Sequence, residues 1–120
     1  MIPHINNTSF GSIQVSNQQF DHDIIINLSG EVKKRKKKLS KKVHGTSHLL
    51  SEEEAKYIYQ KGTVRLIVGS GQYGALKLSE AAERFFHKKE CLVTVLPTPA
   101  AIDIWNEAEG KVLGLFHVTC

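Results

Sequence analysis

Residues 64–74 read VRLIVGSGQYG, a short apolar run that breaks into three glycines, Gly69, Gly71 and Gly74. Val64, Leu66, Ile67 and Val68 put apolar side chains on both faces, as a strand covered by helices on both sides requires. The stretch therefore marks a central strand of an α/β sheet that turns off sharply into a glycine loop. The glycine spacing also matches G-x-G-x-x-G, in which backbone N–H groups approach a pyrophosphate at a helix N-terminus. Two features oppose a dinucleotide site. In that motif the helix opens within the glycines, whereas here the next helix start is Ser79, five residues past Gly74. The acidic residue that would meet a ribose is also missing, because the following strand, Leu92–Leu96, ends in Pro97 and Thr98 while Glu90 lies at its other end. No cofactor is expected. The loop reads either as a turn or as a site for a ligand other than a nucleotide.

Downstream of the loop the pattern is regular. A helix from Ser79 to about Lys89 carries Ala81, Ala82, Phe85 and Phe86 on one stripe, and Leu92–Leu96 is again apolar on both faces. Thr98 is the expected cap of a helix with Pro99 at its first position, buried through Ala101, Ile104, Trp105 and Ala108 and ended by Gly110. Val112 to about Val118 closes the chain as a strand. One helix between consecutive strands makes the last three strands parallel, with right-handed crossovers. Their carboxyl ends then share one rim, made of Gly69, Ser70, Gly71, Gln72, Tyr73 and Gly74, of Pro97–Pro99 with Thr98, and of His117–Cys120 with Thr119. Ligands of open α/β sheets favour that rim.

Upstream, residues 1–8 have no periodicity and read as a loose N-terminus. Ser9–Val15, Phe20–Leu28 and Glu31–Arg35 read as strands separated by turns, an antiparallel meander. Leu50, Ser51 and Glu54 form a capping box with its flanking apolar residue, opening a helix that buries Ala55, Ile58 and Tyr59 and stops at Gly62. His44 and His48 are four apart but lie around Gly45 in a loop, so no metal site is expected.

At 120 residues and 41% hydrophobic content the chain is sized for one domain with one core, residues 1–120. No apolar run approaches the length of a membrane span, and no leader is visible, so a cytoplasmic location is the expectation. Cys91 and Cys120 are too few for a metal framework and are expected as free thiols. The net charge of +4 comes from one segment. Lys33, Lys34, Arg35, Lys36, Lys37, Lys38, Lys41 and Lys42 supply eight of the sixteen basic residues, leaving the remainder at −4. Such a run repels itself when packed, so an exposed edge or loop is predicted. It lacks interleaved aromatics, which restricts nucleic-acid binding to unspecific phosphate contact.

The segments SFGSIQV, DIIINLSGEV, HGTSHLLSEEE, LIVGSGQYGALKLSEAA, VLPTPAAIDIWN and LFHVTC, spread from about Phe10 to Cys120, together resemble a family of small proteins of unknown function. Mitochondrial respiratory complex I assembly factor three and the adipogenesis-associated domain protein belong to that family. The resemblance implies a three-layer single domain around a mixed five-stranded sheet, with a parallel C-terminal βαβαβ part and an added antiparallel β part at the N-terminus. It further implies a role in assembly or regulation through a protein partner, with no catalytic activity established. The charge run is denser than the family's pattern.

The chemistry agrees with that direction. His117 and Cys120 would act as base and nucleophile only if the strand end curls, since positions three apart on a straight strand face opposite sides. A chain-terminal carboxylate on Cys120 would also hold its thiol protonated. Tyr73, an aromatic within a glycine loop, is the residue best suited to touch a partner. A non-enzymatic adapter is the expected function. A small-ligand or thiol-dependent enzyme using the glycine loop with His117 and Cys120 is the alternative, and an unspecific nucleic-acid binder is the second.

Overall fold

A computed structural model describes residues 2–120. Strands β1 (Ile5–Ser9), β2 (Ser12–Val15) and β3 (Gln18–Phe20) form an antiparallel meander. They are followed by β4 (Ile24–Ile26), β5 (Val32–Lys34), helix α1 (Lys38–His44), the two-residue β6 (Leu49–Leu50) and α2 (Glu52–Ile58). The remainder is β7 (Arg65–Ser70), the short β8 (Lys77–Leu78), α3 (Glu80–Lys88), β9 (Leu92–Leu96), α4 (Thr98–Glu107) and β10 (Val112–His117).

The main sheet has the order β5-β4-β10-β7-β9. β10, β7 and β9 run parallel, and β4 and β5 join antiparallel, so the sheet is mixed as expected. Strand alternation divides the core into two layers. Leu66, Val68, Leu113 and Leu115 face α2 and α3 and pack with Ala55, Ile58, Ala82 and Phe86. Ile67, Val112 and Phe116 face the other way, onto α4 through Ala101 and Trp105 and onto the meander through Ile5, Ile13 and Val15. Gly114 makes room for this second layer, because a Cβ there would stand 2.9 Å from the Trp105 ring and 2.6 Å from that of Phe116.

Helix starts follow local chemistry. Ser79 accepts a hydrogen bond from the Ala82 amide, and Ser51 from the Glu54 amide, both through side-chain oxygens in extended-backbone cap positions. The reciprocal half of the Ser51 capping box is absent: the Ser51 amide donates to Ser40 Oγ at 2.9 Å, and the Glu54 carboxylate turns elsewhere. Its helix ends at Ile58 rather than at Gly62.

Four further expectations are corrected. The loose start does not extend to residue 8, because Ile5 is fully buried and β1 begins with it. The expected strand Phe20–Leu28 is broken at Asp21–Asp23, and its halves enter different sheets, β3 in the meander and β4 in the main sheet. β5 accordingly pairs with β4 and not with the meander. The basic run is also neither one edge nor one loop. It passes from β5 into α1, with His44 as the last residue of that helix, and Arg35 in its middle is 3% exposed.

Candidate functional site: the strand-end rim

The carboxyl ends of β7, β9 and β10 meet on one side of the sheet, and a network of backbone hydrogen bonds ties them together. Gly71, in the left-handed region at φ +105°, lets its loop lie against the end of β10; a Cβ on it would sit inside the Cys120 backbone. Four amides that could have cradled a phosphate are instead held by the chain's own last residues and by Thr98. The Gly71 amide donates to Thr98 Oγ1 at 2.9 Å and that of Gln72 to the Thr119 carbonyl at 2.7 Å. Those of Tyr73 and Ala75 both donate to the Cys120 carbonyl at 3.1 Å, and the Gly74 amide closes a turn onto Gly71 at 3.3 Å.

Thr98 corrects another expectation. It is the first residue of α4 rather than its cap; Pro97 holds the cap position without a side-chain bond. The fully buried Thr98 hydroxyl donates to the His117 carbonyl at 2.6 Å while accepting from Gly71, and the Thr98 amide donates to the Gly71 carbonyl at 2.9 Å. One side chain thus locks all three strand ends. Gly69 and Ser70 end β7 beneath this lock and are buried. Tyr73 points outward, 80% exposed, and pairs with Phe10 from the β1–β2 turn at 6.2 Å between ring centroids. The turn is held in place by the Gly11 amide, which donates to the Val118 carbonyl at 2.8 Å, and by Gln72 Nε2, which donates to Thr8 Oγ1 at 3.1 Å.

Beneath the rim lies a buried charge cluster that the sequence reading missed. Asp23 Oδ2 meets His117 Nδ1 at 2.8 Å and Arg35 Nη1 at 2.9 Å, while Asp23 Oδ1 accepts from the Val118 amide at 2.9 Å. The Arg35 fork continues to Glu54, Nε to Oε2 at 2.7 Å and Nη2 to Oε1 at 3.0 Å, and Nη2 also donates to the Ser47 carbonyl. Ser40 Oγ donates to Glu54 Oε1. Burial by itself would raise the Asp23 pKa, but the hydrogen bonds from His117 and Val118, the His117 charge and Arg35 outweigh it and hold the carboxyl at about 2. Burial likewise opposes the Arg35 charge, yet Glu54 and Asp23 raise its pKa further. The available signal was Arg35 itself, the only arginine in a run of lysines. A planar fork that binds two carboxylates is a role lysine fills poorly.

His117, 2% exposed, also brings Nε2 to 3.3 Å from Thr119 Oγ1 and stacks edge-on to His48 at 5.1 Å. Cys120 is exposed, and Cys91 is buried with its thiol pushed up to about 11 by that burial. Lys33, Lys34, Lys36, Lys37, Lys38, Lys41 and Lys42 are all exposed. Lys34 and Lys37 meet the rim at a cavity of about 180 Å³ that Asp21, His22 and Thr119 also line. That volume lies below the range of about 300–1,000 Å³ typical of small-molecule sites. Among the described residues no three metal-ligating side chains converge, and no helix is long and apolar enough to cross a membrane.

A mixed five-stranded sheet between two helical layers, with an antiparallel meander alongside, defines a small α/β protein whose fold recurs in solved structures. The crystal structure of the conserved hypothetical protein PH1505 from Pyrococcus horikoshii OT3 is 36% identical and superposes with a TM-score of 0.87, over 97% of this chain and 98% of that one. A structure described as MT938 is 32% identical with a TM-score of 0.84, covering 98% and 99% of the two chains. A Bordetella pertussis protein whose solution structure is described as a Mth938-like domain shares the fold alone, at 18% identity and a TM-score of 0.60, over 97% of this chain and 85% of that one. Residues 5–117 match the family described as Protein of unknown function (DUF498/DUF598), and the chain belongs to that family.

Proposed function

We propose that this protein is a non-enzymatic adapter or assembly-type protein of the cytoplasm that binds a protein partner at the strand-end rim. The observation that carries this reading is the state of the glycine loop. With its amides bonded to Thr98, Thr119 and Cys120, the loop serves as a rigid support that holds Tyr73 out in solvent beside Phe10. Exposed aromatics on a fixed support are the usual anchors of protein interfaces. The resemblance to complex I assembly factor three and the adipogenesis-associated domain protein points the same way. The test is a crosslinking pull-down from native cytoplasm with the wild type and a Phe10→Ala, Tyr73→Ala double variant. The double variant is expected to lose the specific partner by about tenfold or more, as removal of interface anchors does, while its stability stays within about 0.5 kcal/mol of wild type. Retention of that partner at wild-type level would sink the proposal.

One observation favours a thiol-dependent enzyme as the second reading: Asp23 orients His117 at the same chain end that carries the exposed Cys120. Under that reading Cys120 alkylation slows at least about tenfold in His117→Gln, as loss of an activating base requires. Equal rates in the two proteins leave the adapter reading in place. The exposed lysines Lys33 to Lys42 support unspecific polyanion attraction as a property of the surface. It should fall steeply with salt and show no sequence preference.

A further inference from the structure

The two edges of the main sheet are built differently. β5, at one edge, carries Lys33 and Lys34, both exposed, the usual protection of a free strand against edge-to-edge pairing. β9, at the other edge, has no charge in five residues, and Leu92 and Val95 are 65% and 40% exposed. Among the described residues it pairs only with β7. Beside it lies a hollow of about 610 Å³ lined by Leu78, Cys91, Val93 and Val95, with Glu83 and Glu90. An unprotected edge of this kind invites another strand.

The identity of that strand is written in β9 itself. Leu92-Val93-Thr94-Val95-Leu96 reads the same in both directions. An antiparallel pair of two copies centred on Thr94 sets Thr94 against Thr94, Val93 against Val95 and Leu92 against Leu96. The backbone agrees with this register. The Leu92 amide donates to the Val64 carbonyl at 3.0 Å, so by strand alternation Thr94 and Leu96 also turn their polar groups toward β7. The N–H and C=O of Val93 and Val95 therefore face outward. In the symmetric register these are the residues set opposite each other, and each Val93–Val95 pair exchanges two hydrogen bonds across the dyad. Glu90, the nearest charge before the strand, falls opposite Thr98 of the second copy rather than against another carboxylate. A one-residue slip would face outward groups with inward ones.

We propose that β9 is a homodimerisation edge, and that two copies pair antiparallel about Thr94 to form one continuous ten-stranded sheet. Each copy covers the other's hollow with Val93 and Val95. The contact is confined to one strand and its flanks, and a reversible dimer of about micromolar affinity is the expectation to be tested.

Analytical ultracentrifugation of the full chain in a Cys120→Ser background, from about 1 to 200 μM, tests this by bracketing such an affinity. The protein should be dimeric at the upper end and dissociate on dilution. Val95→Pro removes an outward N–H without touching the β7 ladder, so that variant should stay monomeric throughout with an unchanged circular dichroism spectrum. Opposed residues of a non-hydrogen-bonded antiparallel pair have Cα atoms about 4.5 Å apart, within disulfide range. Thr94→Cys should therefore form a reducible covalent dimer on mild oxidation that the Cys120→Ser parent does not form. A monomer at every concentration, or a dimer that survives Val95→Pro in folded form, overturns the proposal. If Val95→Pro does not fold, the Thr94→Cys crosslink decides, and its absence counts against the pairing.

Discussion

Arg35 shows how much of this molecule depends on one side chain's partners. Its guanidinium sits at zero exposure between the carboxylates of Asp23 and Glu54. Removing one member of a buried ion pair costs more than the pair contributes, because the charges left behind stay unsolvated. Arg35→Lys keeps the charge but not the fork, and is expected to lower unfolding free energy in urea by about 3 kcal/mol. Lys36→Ala, one residue away and exposed, should change it by less than about 0.5 kcal/mol. Asp23 adds a pH dependence. Its folded pKa of about 2 lies below the ordinary 3.8, so its contribution is fully present above about pH 4 and disappears as the pH falls through 2. Acid titration followed by circular dichroism should show about 2 kcal/mol of stability lost across that window. An Asp23→Asn variant should be less stable at neutral pH and lose less on acidification. An unchanged acid profile in that variant would place the sensitivity on another carboxyl.

At the scale of elements, the rim is a joint between three strand ends, and Thr98 is its pin. Its hydroxyl both donates and accepts inside the protein, so Thr98→Val strands the Gly71 amide and the His117 carbonyl together. Each buried group left without a partner costs about 1–3 kcal/mol, and a loss of about 2–4 kcal/mol is expected by denaturant unfolding. Thr98→Ser keeps the hydroxyl and should recover most of it. A Val variant as stable as Ser would show that the loop is held by the other bonds, from Gln72, Tyr73 and Ala75 to the chain end. The joint also explains why Tyr73 can be so exposed without the loop collapsing: its backbone is bonded where its side chain is not.

For the molecule as a whole, the two thiols report on the core and on the rim separately. Cys91 lies in the layer between the sheet and α3, with its pKa at about 11, whereas Cys120 stands at the surface. Ellman's reagent at neutral pH should therefore titrate one thiol per folded chain and two in denaturant. A native count of two would mean that the α3 layer opens readily.

Local chemistry carried most of the architecture. The apolar run before Gly69, the Ser51 and Ser79 caps and the alternation of helix with strand are short-range signals, and crossover handedness then places three strand ends on one rim. The sharp turn off the central strand belongs to the same class, and Gly71 makes it in the left-handed region open to glycine. Tertiary structure decided what the polar residues do. Asp23 reaches Arg35 across 12 positions and His117 across 94, Arg35 reaches Glu54 across 19, and Thr98 reaches Gly71 across 27. No local pattern encodes these meetings. A charge's preference for water or for the interior depends on whether the folded chain supplies a partner, which is why Arg35 read as one more surface cation and Glu54 as a cap. Phe20–Leu28 failed as a single strand for the same reason, with the break at Asp21–Asp23 allowing Asp23 to reach the cluster. The sequence alone shows LVTVL as a palindrome, but only the strand order shows that it lies at an open edge, where its symmetry has a physical use.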